Sequence, residues 1–262
     1  MRLFDRFRQH LQEHPFRPPW YMRGGHSQTL IGSQLRRRFP PPHPPSRRDD
    51  LEIAPGVAVR VTQVLQEKPA PTLIVLHGMT GSEDSGYMQG LSRKAWKQGW
   101  GCLLPNLYNV HPDPPRPVIF DASSSHLVGK LLRCLVERHS LQEVYLAGVS
   151  LGANLLLKLL GEWAEQAPPW ARAAAVVSPL TDLSQSWQLM ERPVNRIYQI
   201  YFVRRLKNIA RQRAGYFDGQ VDSEKLARIR TIRDFDNVCT AVLGGWRDAF
   251  DYYQDASSCK VA

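Results

Sequence analysis

Short apolar runs separated by amphipathic stretches set the pattern of this chain. Val57–Leu65 alternates with a period of two and is rich in β-branched residues, which predicts a half-buried strand. Thr72-Leu-Ile-Val-Leu76 is a continuous apolar run of the kind buried on both faces of a parallel sheet. The pattern then predicts a helix over Tyr87–Gln98, a strand over Cys102–Leu107, a helix over Leu127–Arg138 and a strand over Glu143–Ala147. Leu151, Leu155, Leu156, Leu159, Leu160 and Trp163 form the apolar stripe of a long helix, and Ala173–Val177 is the next strand. Strand–helix alternation of this kind predicts an α/β fold, a mostly parallel, doubly wound sheet with helices on both faces.

The pattern changes after Pro179. Residues 182–238 hold no convincing strand but several amphipathic segments, among them Ile197–Val203 and Leu226–Ile232, so helices are expected to cap the C-terminal edge of the sheet. Arg247–Ala256 reads as a final helix. At the other end, residues 1–48 read as an extension with a Pro/Arg-rich connector, leaving 49–262 as the α/β domain. In the extension Phe4, Phe7 and Leu11 recur at helical spacing and Pro15 stops the helix. Arg2, Arg6 and Arg8 beside them open two readings, a peripheral membrane contact or docking on the domain.

Composition narrows the class. A length of 262 residues with 43% hydrophobic residues suits one soluble α/β domain. Part of the net charge of +10 sits in Arg36-Arg37-Arg38 and Arg47-Arg48, on either side of the prolines of 39–45. Prolines preclude a helix that would gather these charges on one face, so a solvated, extended connector is expected and no nucleic-acid partner. No run approaches the roughly eighteen apolar residues of a membrane span, and the N-terminus lacks the uninterrupted apolar core of a signal peptide. Cys102, Cys134, Cys239 and Cys259 are scattered with no C-x-x-C pair, so neither disulfides nor a metal site is expected, and reduced thiols in a cytoplasmic setting are; no cofactor is expected either.

The chemistry centres on Gly148-Val149-Ser150-Leu151-Gly152, a G-x-S-x-G string between an apolar strand and a long helix. That context is the nucleophile elbow, a sharp turn that exposes the serine hydroxyl, and Ser150 is the candidate nucleophile. The strand Thr72–Leu76 runs into His77-Gly78-Met79-Thr80-Gly81, the loop that supplies one oxyanion-hole N–H in such folds, the residue after the serine supplying the other. The candidate donors are therefore the backbone N–H groups of Met79 and Leu151. The loop lacks the Gly-Lys-Ser/Thr ending of a phosphate-binding loop. A serine also needs a general base, yet all eight histidines precede Ser150, against the usual order serine, acid, histidine. His77 is nearest and is expected to brace its loop; His111 and His126 have no motif around them, and Asp182 follows the strand after the elbow, where an acid partner would stand.

With these residues in view the chain resembles the YheT-like α/β-hydrolases, also called the AB hydrolase 4 family. The similar segments are Gly24-Gly25-His26-Ser27-Gln28-Thr29-Leu30, the His77-Gly78 loop, GVSLGANLLLKLLGE around the serine, IYQIYFVRRLK, and TIRDFDNVCTAVLGGWRDAFDYYQDASS. The resemblance implies an α/β-hydrolase fold and hydrolysis of short- to medium-chain acyl esters or acylglycerols through a Ser150 acyl-enzyme. Some relatives transfer the acyl group to an alcohol instead. It also implies two further strands after the Asp-Tyr-Tyr helix, whose loops carry the triad aspartate and then the histidine. The sequence stops at Ala262 before either, so the fold is expected without its last two strands, and Ala173–Val177 with an unpaired apolar edge. A catalytically impaired pseudoenzyme that binds lipid or a protein partner is the alternative. The chain departs from the family at Asn106–His111 and Phe120–Ser124, on the acyl or leaving-group side of the expected site.

Overall fold

The structure, a computed structural model, describes residues 3–34, 44–108, 120–213, 217 and 219–261, except the side chains of 3, 4, 7 and 32–34. Arg2, Arg36–Arg38, His43 and His111 lie outside the described residues, as do the side chains of Phe4 and Phe7. The chain divides into two units, Met1–Pro41 and Pro42–Ala262. The first holds α1 (Leu3–Glu13), which ends before Pro15 as its spacing predicts, and α2 (Gly25–Gln34). The latter contains most of the Gly24–Leu30 segment. In it Ser27 and Thr29 turn their hydroxyls back onto the carbonyls of Gly24 (2.7 Å) and Gly25 (2.9 Å).

The second unit is built on a six-stranded sheet in the order β1-β2-β4-β3-β5-β6. Its elements begin with β1 (Arg47–Ala54), β2 (Val57–Val64), β3 (Thr72–Leu76), α3 (Gly86–Lys97), β4 (Gly101–Pro105) and α4 (Ser125–His139). They continue with β5 (Val144–Val149), α5 (Leu151–Trp163) and β6 (Ala171–Val177). β4, β3, β5 and β6 are parallel, while β1 and β2 form an antiparallel hairpin that adds to β4. Alternation along β3 explains its continuous apolar run. Ile74 and Leu76 face the core shared with α4 and α5, whereas Leu73 and Val75 face the smaller core under α3.

Arg47 and Arg48, expected in a solvated connector, instead open β1. Arg48 pairs with Asp84, and Asp50 meets Arg60 across the hairpin at 2.9 Å. Only Leu51 and Ile53 of this strand are buried, because β1 is the sheet edge and its first half faces water. At the opposite edge β6 pairs with β5 alone among the described residues. Ala173, Ala174 and Ala175 are exposed there and Val177 is 58% exposed, the unpaired apolar edge the sequence predicts.

After β6 come α6 (Leu183–Glu191), α7 (Arg196–Gln212), α8 (Ser223–Arg228), α9 (Ile232–Phe235), a π-helical turn over Asp236–Thr240 and α10 (Ala241–Gly244). Val203, Leu206, Ala210, Leu226, Phe235 and Cys239 form a small core of their own within this region. α11 (Ala249–Ala256) returns to the main core through Ala249, Tyr252, Tyr253 and Ala256. Asn154 of α5, fully buried, fixes the chain that follows. Its amide donates to the Ala256 carbonyl (3.0 Å) and its oxygen accepts from the Ser258 N–H (3.1 Å).

Candidate active site

β5 delivers Ser150 onto the turn into α5 with φ 53° and ψ −112°, a backbone conformation that a residue with a side chain rarely adopts. Such strain costs about 1–3 kcal/mol and persists only where surrounding bonds enforce it. Here the Ser150 N–H donates to the Val177 carbonyl (2.9 Å), tying the elbow to β6, and the Ser150 carbonyl accepts from the Asn154 N–H (3.0 Å), opening α5. The motif glycines are required by space. A Cβ on Gly152 would lie 2.5 Å from the Leu76 carbonyl oxygen and 2.7 Å from that of His77; one on Gly148 would lie 2.6 Å from the Gly152 carbonyl oxygen. These neighbours are backbone and cannot swing aside. Gly152→Ala is therefore expected to lower stability by about 1–3 kcal/mol in chemical denaturation, with the elbow forced away from β3.

The loop after β3 lies directly against the serine, since a Cβ on Gly78 would stand 3.1 Å from that of Ser150. Its amides are almost all engaged. The Gly78 N–H donates to the Tyr87 hydroxyl (2.9 Å), the Thr80 N–H to the Tyr108 hydroxyl (2.9 Å) and the Gly81 N–H to the Gly78 carbonyl (3.0 Å). The Met79 N–H is the one left over, with no acceptor among the described residues. The Leu151 N–H, in the first turn of α5, likewise has none among them. Arg205 of α7 donates to the Thr80 carbonyl (3.0 Å), tying the helices above the sheet to this loop.

His77 is the brace of that loop. Its Nε2 accepts from the Leu107 N–H (2.9 Å), so the ring proton sits on Nδ1, which donates to the Gly78 carbonyl (2.8 Å). Burial pushes its pKa below the ordinary histidine value, keeping the ring neutral. Both nitrogens are occupied, and neither is free to take a proton from Ser150. His126 is exposed at the start of α4, and His139 lies at the end of that helix. Asp182 spends its carboxylate as the N-cap of α6, accepting from the Gln185 N–H (3.0 Å), which holds its pKa below the usual value.

Met79, Ser150 and Leu151, the three residues singled out by motif, line one cavity of about 170 Å³. No described histidine lines it. Its walls are largely apolar and come from both the sheet region and the helices above, including Phe120, Trp187, Phe202, Leu206 and Phe235. Among the described residues two carboxyl groups, one half-buried and one buried, also line it, and motif reading missed both. Asp121 accepts from the Ser123 N–H (2.7 Å) and hydroxyl (2.6 Å), and burial raises its pKa. Asp236 accepts from the hydroxyls of Tyr253 (2.7 Å) and Thr240 (2.8 Å), yet burial outweighs these bonds and lifts its pKa to about 7. Asp236 and Tyr253 sit in the Asp-Phe-Asp and Asp-Tyr-Tyr strings of the last family segment, the one sequence signal that could have found them.

Among the described residues no group of three or more histidine, cysteine or acidic side chains is arranged to hold a metal ion. The four cysteines are unpaired, with Cys102 and Cys239 pushed up to about 12 by burial. No described helix is long and apolar enough to cross a membrane.

The chain is similar to several known proteins. The chain is 31% identical to YheT of Escherichia coli K12, whose name describes it as a candidate esterase, over 89% of this chain and 69% of that protein. It is 24% identical to the monoacylglycerol lipase of Saccharomyces cerevisiae over 89% of this chain and 50% of the lipase. Against human phospholipase ABHD3 the identity is 24% over 97% of this chain and 64% of the relative. The chain thus spans between half and about two thirds of the length of these relatives. Among solved structures, the carboxylesterase CesB of Bacillus subtilis superposes with a TM-score of 0.41 at 18% identity, covering 68% of this chain and 56% of that one. No established family profile matches the chain.

Proposed function

The chain belongs to the YheT-like family of α/β-hydrolases, and from that premise we propose that it hydrolyses carboxylic esters through an acyl-enzyme on Ser150. One observation carries the reading: a strained serine and two unengaged amides, those of Met79 and Leu151, share one apolar cavity. In the scheme, Ser150 Oγ attacks the ester carbonyl and its proton passes to a base. The carbonyl oxygen becomes an oxyanion held by the two N–H groups. Collapse of this intermediate expels the alcohol, which takes up the proton, and water then releases the acid and restores the serine. Each N–H contributes about 2.7–4 kcal/mol in the transition state, because it points at charge that develops only then. The scheme uses no metal or cofactor.

The apolar walls suit the acyl part of a short- to medium-chain ester or an acylglycerol, in keeping with relatives named as a monoacylglycerol lipase and a phospholipase. An alcohol in place of water at the second step would make the same serine an acyltransferase. The histidine that usually serves as base is not among the described residues of the cavity wall. That observation favours a second reading, in which this chain by itself is a pseudoenzyme that binds the ester or a lipid without turning it over. In both readings the residues before β1 are an extension and about 182–238 a helical cap on the α/β domain. A cytoplasmic setting rests on four cysteines without paired spacing. Release of nitrophenolate from p-nitrophenyl butyrate separates the two. Hydrolysis predicts continuous turnover that Ser150→Ala abolishes; a rate equal in the wild type and Ser150→Ala contradicts it.

A further inference from the structure

The inner and outer faces of α7 do different things. Phe202, Leu206 and Ile209 point inward and line the Ser150 cavity. On the outer side, α7 and the segment Ile229–Thr231 bound an open groove of about 1040 Å³. Four arginines line it, Arg196, Arg204, Arg211 and Arg230, and none of their guanidinium groups has a carboxylate partner among the described residues. Lys207 is also there but spends its ammonium on the carbonyls of Ala227 (2.6 Å) and Ile229 (3.2 Å). Among the described residues the lining holds one carboxylate, Glu191, and it is already paired with Arg233 at 3.3 Å.

Large apolar side chains stand exposed beside these charges. Val194 is 61% exposed, Ile197 54%, Tyr201 52% and Ile200 40%, with Leu189 at 47% near the end of α6. Along α7, Ile197, Tyr201, Arg204, Asn208 and Arg211 recur at the spacing of one helix face, apolar at its start and cationic at its end. Exposed apolar side chains grouped along one helix face mark an interaction surface, and an anion site alone does not call for them. An apolar strip set beside unpaired arginines complements one common surface, a bilayer whose headgroups carry phosphate and whose acyl region lies just below.

We propose that the outer face of α7 and the adjoining end of α6 dock on an anionic phospholipid surface, with Val194, Ile197, Ile200 and Tyr201 entering the acyl boundary and the four arginines meeting headgroup phosphates. The helix that rests on lipid is then the one that roofs the ester cavity, so docking brings that cavity to its substrate. This last point rests on the ester-hydrolase reading; the docking does not.

The test is co-sedimentation of the full chain, carrying Ser150→Ala so that turnover plays no part, with phosphatidylcholine vesicles that contain or lack phosphatidylglycerol. Binding is expected only with the anionic lipid and is expected to weaken as salt is raised. The triple variant Arg196→Glu, Arg204→Glu, Arg211→Glu is expected to reduce vesicle binding at least tenfold. The double variant Ile197→Asp, Tyr201→Asp is expected to reduce it about fivefold. All five positions are exposed, and circular dichroism checks that each variant is folded. Three outcomes overturn the proposal: no binding by the parent chain; full binding by both variants, which would assign the contact to α1; or a loss confined to the charge variant, which would describe a soluble polyanion rather than a bilayer.

Discussion

Replacing His77 by alanine is expected to destabilise the protein by about 3–5 kcal/mol and to abolish reaction at Ser150. The ring is fully buried, and its removal leaves a cavity, an unpaired Leu107 N–H and an unpaired Gly78 carbonyl at the end of β3. The loop that presents Met79 then loses its brace, so the oxyanion donor is lost along with the stability. A general base behaves otherwise: removing it costs rate and little stability. Should the alanine variant fail to fold, nitrogen NMR of the wild-type ring decides the same point. At pH 6.5, where an ordinary histidine is half protonated, His77 is expected to remain neutral with its proton on Nδ1. The linkage follows from the direction of the shift. The folded pKa lies below the unfolded one, so the folded state binds fewer protons, and this contribution is present above about pH 6.5 and falls away as acid protonates the unfolded chain. A ring that titrates normally in the native protein would contradict the brace.

Asp236→Asn is expected to stabilise the protein at pH 8 by up to about 4 kcal/mol in urea denaturation, an advantage that disappears below about pH 4. The sign is opposite to that of a salt-bridged carboxylate. Burial raises the folded pKa from 3.8 to about 7, so the folded state holds its proton longer than the unfolded state does. Stability therefore declines as the pH rises from 3.8 to about 7 and is level above that. Asparagine removes the ionisation while its amide still offers an acceptor, and the hydroxyls of Tyr253 and Thr240 are free to rotate and receive a donor. Asp121, raised by burial in the same wall, contributes in the same direction in both proteins. Equal or lower stability of the variant at pH 8 would mean that Asp236 is held as a carboxylate, by a cation not among its described partners.

How much of this was legible beforehand differs from element to element. β3 and β5 announce themselves because a strand covered on both faces has no polar side to blur its apolar run. The elbow is equally plain, since its two glycines are demanded by backbone oxygens within 2.7 Å of any Cβ. β1 was hidden because four charged residues fill its first half, and only its pairing with β2 makes it a strand. α2 was hidden for another reason: GHSQTLIGSQ has no apolar stripe to mark a helix. At the site, motif alone pointed to Met79, but that Tyr87 and Tyr108 take the amides on either side of it comes from residues remote in the chain. Asp121 and Asp236 became neighbours of Ser150 only through tertiary packing. Nothing local marks a carboxylate that the fold will bury.

The central claim is that Ser150 is a half-buried nucleophile set against the Met79 and Leu151 amides in an acyl-binding cavity. Mass spectrometry of the folded chain after treatment with a fluorophosphonate tests it most directly, because the phosphonyl oxygen mimics the oxyanion and the adduct is mapped to a residue. One phosphonyl group on Ser150, absent from Ser150→Ala, is the result predicted. A folded wild-type chain that takes up no phosphonate, or takes it up equally with Ser150 replaced, would contradict it.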